Sequence, residues 1–183
     1  GDPLVGDPIA MQFGPDGRLW VVEMRGYMPD VDGRGEDQPV GVIATLTDTD
    51  GDGRFDRRVV FADKLVMPRA LALVGDGLLV AEPMNLWWMR DTNGDGQADT
   101  KTSVVSDYGN RSNPEHNANG LMWALDNWLY NAKYNVRFRW LGDGKLAREN
   151  TIPRGQWGIT QDDTGRIYYN TNSDPLRVDA VPS

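Results

Sequence analysis

Apolar residues along this chain fall in short runs broken by clusters of Gly, Asp, Asn and Pro, without the 3.6-residue recurrence of an amphipathic helix. Four of these runs share one frame of apolar strand, Asp-Gly or Asp-Asn turn, apolar strand: residues 9–23, 70–82, 120–131 and 158–170. Each reads as a β-hairpin. Their turn residues Gly17, Gly77, Asn127 and Gly165 are 60, 50 and 38 positions apart, which suits about four strands per repeat. That repeat predicts an all-β fold, a β-propeller in which each sheet buries its faces against its neighbours. About four blades are present over residues 1–183, read as one domain and as part of a six- or seven-bladed ring. Two polar stretches, 25–39 and 106–119, read as long surface loops, and residues 1–8 as an irregular lead-in.

A nine-residue acidic stretch occurs twice, 43 positions apart, as Asp48-Thr-Asp-Gly-Asp-Gly-Arg-Phe-Asp56 and Asp91-Thr-Asn-Gly-Asp-Gly-Gln-Ala-Asp99. Positions 1, 3, 5 and 9 carry side-chain oxygens: Asp48, Asp50, Asp52 and Asp56 in the first, Asp91, Asn93, Asp95 and Asp99 in the second. Position 7, Arg54 or Gln97, offers a main-chain carbonyl. An all-oxygen set in a tight loop suits calcium, so two calcium sites are expected. Neither loop is an EF-hand, because position 12 is Val59 or Thr102 rather than Glu and the flanks read as strands. The plainer alternative is a pair of acidic hairpin turns.

Composition narrows the function. A net charge of −8 argues against nucleic acid as a partner. There is no cysteine, hence no disulfide, thiolate metal site or haem-attachment motif within these residues. No apolar run reaches transmembrane length. Calcium loops of moderate affinity fill most readily outside the cytoplasm, which points to a periplasmic or secreted protein.

Residues 114–130, Pro-Glu-His-Asn-Ala-Asn-Gly-Leu-Met-Trp-Ala-Leu-Asp-Asn-Trp-Leu-Tyr, contain the single histidine. They resemble a segment of the soluble quinoprotein glucose and sorbosone dehydrogenases in which an acidic residue and a His precede a hairpin. Residues 153–169, beginning Pro-Arg-Gly-Gln-Trp-Gly, resemble a later hairpin of the same family. With the acidic loops and the Leu-Asp-Asn-Trp motif at 125–128, the chain is also similar to the propeller of bacterial membrane-bound-dehydrogenase-like proteins, often joined to a cytochrome c domain. The resemblance implies a sugar or alcohol oxidoreductase using pyrroloquinoline quinone, with a cytochrome as electron acceptor. It makes His116 the base that takes a hydroxyl proton, Glu115 its neighbour on the substrate, and Arg154 the cation on the quinone. Trp157 or Trp123 would stack on the planar cofactor or on a sugar, and Arg69 occupies a corresponding loop position. An imidazole has the right basicity for that step. The chain departs from the family in lacking several blades and a second His, and in the spacing between His116 and its hairpin.

Two other classes fit the same residues. One is a calcium-stabilised binding propeller for carbohydrate or protein, in which His116, Arg154 and the tryptophans are structural. The other is a propeller polysaccharide lyase with His116 as base. Asp162 and Asp163, a pair that suggests a glycosidase, sit in a turn where Asp is favoured for backbone hydrogen bonding.

Overall fold

The computed structural model describes residues 4–111 and 113–180. The start of the Asp-Pro lead-in and Ser112 of the histidine loop lie outside the described residues. Among the described residues the fold is all-β, with fifteen strands and no helix that could cross a membrane. The strands are β1 (Pro8–Phe13), β2 (Leu19–Glu23), β3 (Gly41–Thr47), β4 (Arg57–Leu65), β5 (Ala70–Val74), β6 (Gly77–Glu82), β7 (Met84–Arg90) and β8 (Thr100–Tyr108). They continue as β9 (Asn119–Trp123), β10 (Leu129–Ala132), β11 (Val136–Gly142), β12 (Lys145–Asn150), β13 (Ile159–Gln161), β14 (Ile167–Tyr169) and β15 (Arg177–Val178). Three four-stranded sheets and one of three strands run in chain order, β1 to β4, β5 to β8, β9 to β12 and β13 to β15. These are the four expected propeller blades. All four hairpins read from the sequence are present, and 25–39 is a strand-free connection between β2 and β3.

The chain forms two compact units, Gly1–Glu82 with Leu86–Ser103, and Pro83–Asn85 with Val104–Ser183. In the first, the period-2 alternation of Leu-Trp-Val-Val in β2 sends Trp20 and Val22 to one face and Leu19 and Val21 to the other. Trp20, Val22, Ile43, Phe61 and Leu65 of the first sheet pack with Leu71, Leu78, Val80 and Met89 of the second. Leu19, Val21 and Leu46 form a smaller cluster on the opposite face, capped by Val5 and Phe55. Burial on both faces is why β2 and β6 read as nearly unbroken apolar runs. In the second unit, Ala124, Trp128, Tyr130 and Ile167 join the third and fourth sheets, with Met122, Ala147, Ile159 and Tyr169 around them. Trp20 lies in β2 and Trp123 ends β9, whereas Trp128 precedes β10 rather than lying within it.

β2 and β6 each end in a buried carboxylate. Glu23 is bound by the guanidinium of Arg58 from β4, at 2.9 and 3.1 Å, and by Arg25. Glu82 accepts from Lys101 Nζ of β8 (2.7 Å) and from the backbone N–H of Val66 (2.6 Å). These are charges taken out of water and matched, as burial requires.

Three hairpins close with one turn geometry. Gly14 N–H bonds Arg18 O and Gly17 N–H bonds Gly14 O; 124–128 and 162–166 repeat both bonds. The fourth residue of each turn, Gly17, Asn127 or Gly165, has φ of 81°, 65° or 85°. That left-handed requirement is the physical content of the Asp-Gly/Asp-Asn signature. The hairpin at 70–82 differs. Val74 pairs directly with Gly77, so only Gly75 and Asp76 form its turn.

Asp162 organises its turn by accepting from Thr164 Oγ1 (2.7 Å), the backbone N–H groups of Thr164 and Arg166, and Tyr168 Oη (3.0 Å). These donors, the Thr164 hydroxyl foremost, pull its pKa from 3.8 to about 2. A depressed carboxylate stabilises the fold above its unfolded pKa, and the stabilisation disappears as pH falls through the folded value. The stability difference between wild type and Asp162→Asn, measured by urea denaturation, is therefore expected to be constant near neutrality and to shrink between pH 3.8 and about 2. A difference independent of pH over that window would contradict this account.

Candidate functional site

The two acidic loops connect β3 to β4 and β7 to β8, and they adopt one conformation. At position 1, Asp48 accepts the N–H groups of Gly51 (2.7 Å) and Gly53 (2.9 Å), and Asp91 those of Gly94 (2.6 Å) and Gly96 (2.8 Å). Those four glycines have φ between 78° and 88°, which a side chain would resist. At positions 3 and 5, Asp50 or Asn93 and then Asp52 or Asp95 each cap the amide two residues on. At position 9, Asp56 accepts from Thr49 N–H and Oγ1, and Asp99 from the same groups of Thr92. The backbone donors, Gly53 for Asp48 and Gly96 for Asp91, hold both carboxyls below the usual range, and Thr92 does so for Asp99.

The donor set fits a hard cation. It is oxygen throughout, and ligand oxygens of Asp48, Asp50 and Asp56 all lie within 4.8 Å of one another. A carboxylate has about four acceptor positions, so bonds to backbone N–H leave others for a metal. The second loop differs at position 3. There the Asn93 amide nitrogen donates to Asp99 Oδ1 (2.8 Å), closing the loop by a hydrogen bond where the first brings two carboxylates together. Ala98 N–H also bonds Phe61 O of β4 (2.7 Å), tying the second loop to the first sheet. A cavity of about 300 Å³ lies there, lined by Arg18, Thr45, Arg57, Val59, Asp91 and Asp95.

The second unit carries the histidine loop, which leaves β8 at Tyr108 and re-enters the sheet at Asn119. Its neck is fastened by Asn117, 2% exposed. Asn117 Oδ1 accepts from the N–H groups of Asn110 and Ala118, both at 2.9 Å, and its amide donates to Asn110 O. A Cβ on Gly109 would lie 2.1 Å from that oxygen, so the clamp needs glycine there. The Asn119 amide donates to Asn117 O (3.0 Å) and Gln156 O (2.7 Å), which draws 153–158 onto the loop. Trp157 Nε1 donates to Glu115 O (2.7 Å), and Gln156 Nε2 lies 3.2 Å from His116 Nδ1.

The expected residues therefore divide. Glu115, His116 and Trp157 come together, the first two exposed and Trp157 half-buried. Arg154 is buried and bound in a salt bridge to Asp179 at 2.7 Å. It also donates to Thr151 Oγ1 and Ile152 O and lies over the Tyr130 ring. Arg69 is buried in the first unit, its Nε directed at Met67 O (3.3 Å). Sequence reasoning missed Asn117, Asn119 and Gln156. Its one available signal was the density of Asn in 110–119, since buried amides are what bind a loop's own backbone.

Sheets of this order and repeat, with acidic loops at strand connections and a clamped histidine loop, define a β-propeller whose polar residues gather in its connections. The chain belongs to a domain family of unknown function, DUF7133, whose profile matches residues 1–183. A solved structure described as a candidate gluconolactonase shares the fold, with TM-score 0.60 and 17% identity over 96% of this chain. This chain spans 60% of that protein's length. A streptogramin B lyase structure matches with TM-score 0.43 and 13% identity, over 100% of this chain and 72% of that one. No curated protein matches.

Calcium at a hundred times its dissociation constant is expected to stabilise the chain by about 2.7 kcal/mol per site, read as a rise in Tm reversed by chelation. Asp48→Ala and Asp91→Ala should each remove one site's share; an unchanged Tm on adding calcium would reduce both loops to turns. Asn117→Ala, which strips partners from buried backbone groups, is expected to cost about 1–3 kcal/mol. Hydrogen exchange should then quicken at Asn110 and Ala118.

Proposed function

We propose that this chain is the calcium-braced portion of a sugar- or alcohol-oxidising propeller, with His116 as the group that meets the substrate hydroxyl. One observation supports this above others. The two stretches that resemble quinoprotein dehydrogenases, far apart in sequence, meet at His116 with Gln156 and at Glu115 with Trp157. A base at that point, beside an exposed carboxylate and a half-buried indole, has the parts to bind a polyol and take its hydroxyl proton. The two acidic loops serve as structural supports. The setting consistent with calcium loops is periplasmic or secreted, and a cytochrome c is the partner the reading implies.

The quinone fits less well. Arg154 and Arg69, the cations expected against it, are both buried and engaged with the protein's own oxygens. A quinone carboxylate thus has no ready counter-ion among these residues, and no step is assigned to it. The same observation favours a second reading, a non-catalytic calcium-stabilised carbohydrate-binding propeller.

Dye reduction separates the two. With calcium and pyrroloquinoline quinone supplied, the chain and the natural polypeptide that carries it are offered a panel of aldoses and alcohols. Turnover that falls by at least about 100-fold in His116→Ala is expected, the scale of a lost general base. No turnover, combined with calorimetric binding of a sugar, would replace the oxidoreductase with the binding module. Release of unsaturated uronate without any acceptor would replace both with a lyase.

A further inference from the structure

We propose that Gln156 is a positioning residue that decides which ring nitrogen of His116 carries the proton, and that the free chain presents Nε2–H, a donor. The inference rests on the oxidoreductase reading for its catalytic meaning only; the tautomer is a property of the ligand-free chain.

Gln156 is 5% exposed, and its carboxamide has two unlike ends. The oxygen end faces the backbone N–H of Asn172 at 3.4 Å. A backbone N–H can only donate, so Oε1 belongs on that side. The NH₂ end then faces His116 Nδ1 at 3.2 Å. An amide NH₂ has only protons to offer, so Nδ1 must supply the lone pair and, in the neutral ring, the proton resides on Nε2.

The backbone that carries Gln156 is held in place. The Gln156 carbonyl accepts from the buried Asn119 amide, and the next residue, Trp157, is fixed to Glu115 O. Gly155 before it lies where a Cβ would meet Gly158 O and Tyr169 Cβ at 3.0 Å, so the backbone there has little room. On the loop side, the backbone N–H of His116 donates to Asn113 Oδ1 at 3.1 Å, which holds the main chain of the loop at this point. Among the described residues Nε2 takes no hydrogen bond, and His116 is exposed.

The consequence is chemical. The atom of a ligand that first meets His116 is an acceptor, a carbonyl, ring or hydroxyl oxygen. For Nε2 to remove a hydroxyl proton, the ring proton must sit on Nδ1 and the Gln156 amide must turn over, so that Oε1 accepts a hydrogen bond from Nδ1–H. Gln156 then selects between a residue that holds oxygen and one that deprotonates it.

The chain has one histidine, so ¹⁵N-labelled histidine gives a single pair of ring signals. At a pH where the imidazole is neutral, wild type is expected to show unprotonated Nδ1 and protonated Nε2. With the Gln156 carboxamide also ¹⁵N-labelled, a ¹⁵N–¹⁵N coupling across its hydrogen bond to Nδ1 should accompany them. In Gln156→Glu the carboxylate can only accept, so the two ring shifts should exchange, the proton moving to Nδ1. A merely structural role for Gln156 would not exchange them. Wild type with the proton on Nδ1, or the same tautomer in wild type and Gln156→Glu, would overturn the proposal. Should Gln156→Glu fail to fold, the coupling decides the matter in wild type alone: its presence supports the proposal and its absence overturns it. Exchanged shifts without dehydrogenase turnover in either protein would uphold the tautomer and remove the oxidoreductase reading, so the two fail separately.

Discussion

Stacking one sheet on the next obliges the strand between them to be apolar on both sides, and this leaves its polar ends to be satisfied from within. β2 meets the first demand along its whole length and β6 from Leu78 to Glu82. Glu23 and Glu82 meet the second by reaching across their own sheets to Arg58 and Lys101 on the outer strands. In the second unit Asn131, near the end of the buried β10, is satisfied by neutral groups instead. It accepts from Tyr108 Oη (2.7 Å) and donates to Val136 O (2.8 Å). An unmatched carboxylate at such a place would cost several kcal/mol, comparable with a domain's entire margin of stability. The apolar stack and its polar fastenings are thus one constraint.

That constraint explains what the sequence made legible. Hairpins could be read because alternation and the Asp-Gly or Asp-Asn turn are local signals. The left-handed fourth turn residue appears in the structure at Gly17, Asn127 and Gly165. The acidic loops could be read because a repeated pattern of oxygens and glycines is also local, and one side-chain oxygen at each of positions 1, 3, 5 and 9 accepts from the loop backbone. Gly75 and Asp76 make a shorter turn than the shared frame suggested, since a two-residue closure is written by the same residue types.

What stayed hidden is non-local. Nothing near Arg154 announces Asp179, and nothing near His116 announces Gln156; each pair forms only when separate connections are brought together. An arginine in a polar loop and an arginine buried against a carboxylate look alike in sequence. The two stretches that carry the resemblance touch at His116 with Gln156 and at Glu115 with Trp157, while Arg154 beside them is bound to the protein itself.

The two acidic loops, alike in backbone, are unlike in what they need. The first brings three carboxylates within 4.8 Å, a repulsion that only a cation or solvent can relieve. The second substitutes Asn93 for one of them and satisfies Asp99 with its amide proton, so it can close without an ion. It is also the loop bonded through Ala98 to Phe61 of the neighbouring sheet. The pairing is physically sensible: the loop that fastens two sheets holds its shape by itself. The more highly charged loop, on a connection within one sheet, would gain more from a bound cation, because affinity in such sites rises with the number of charged ligands.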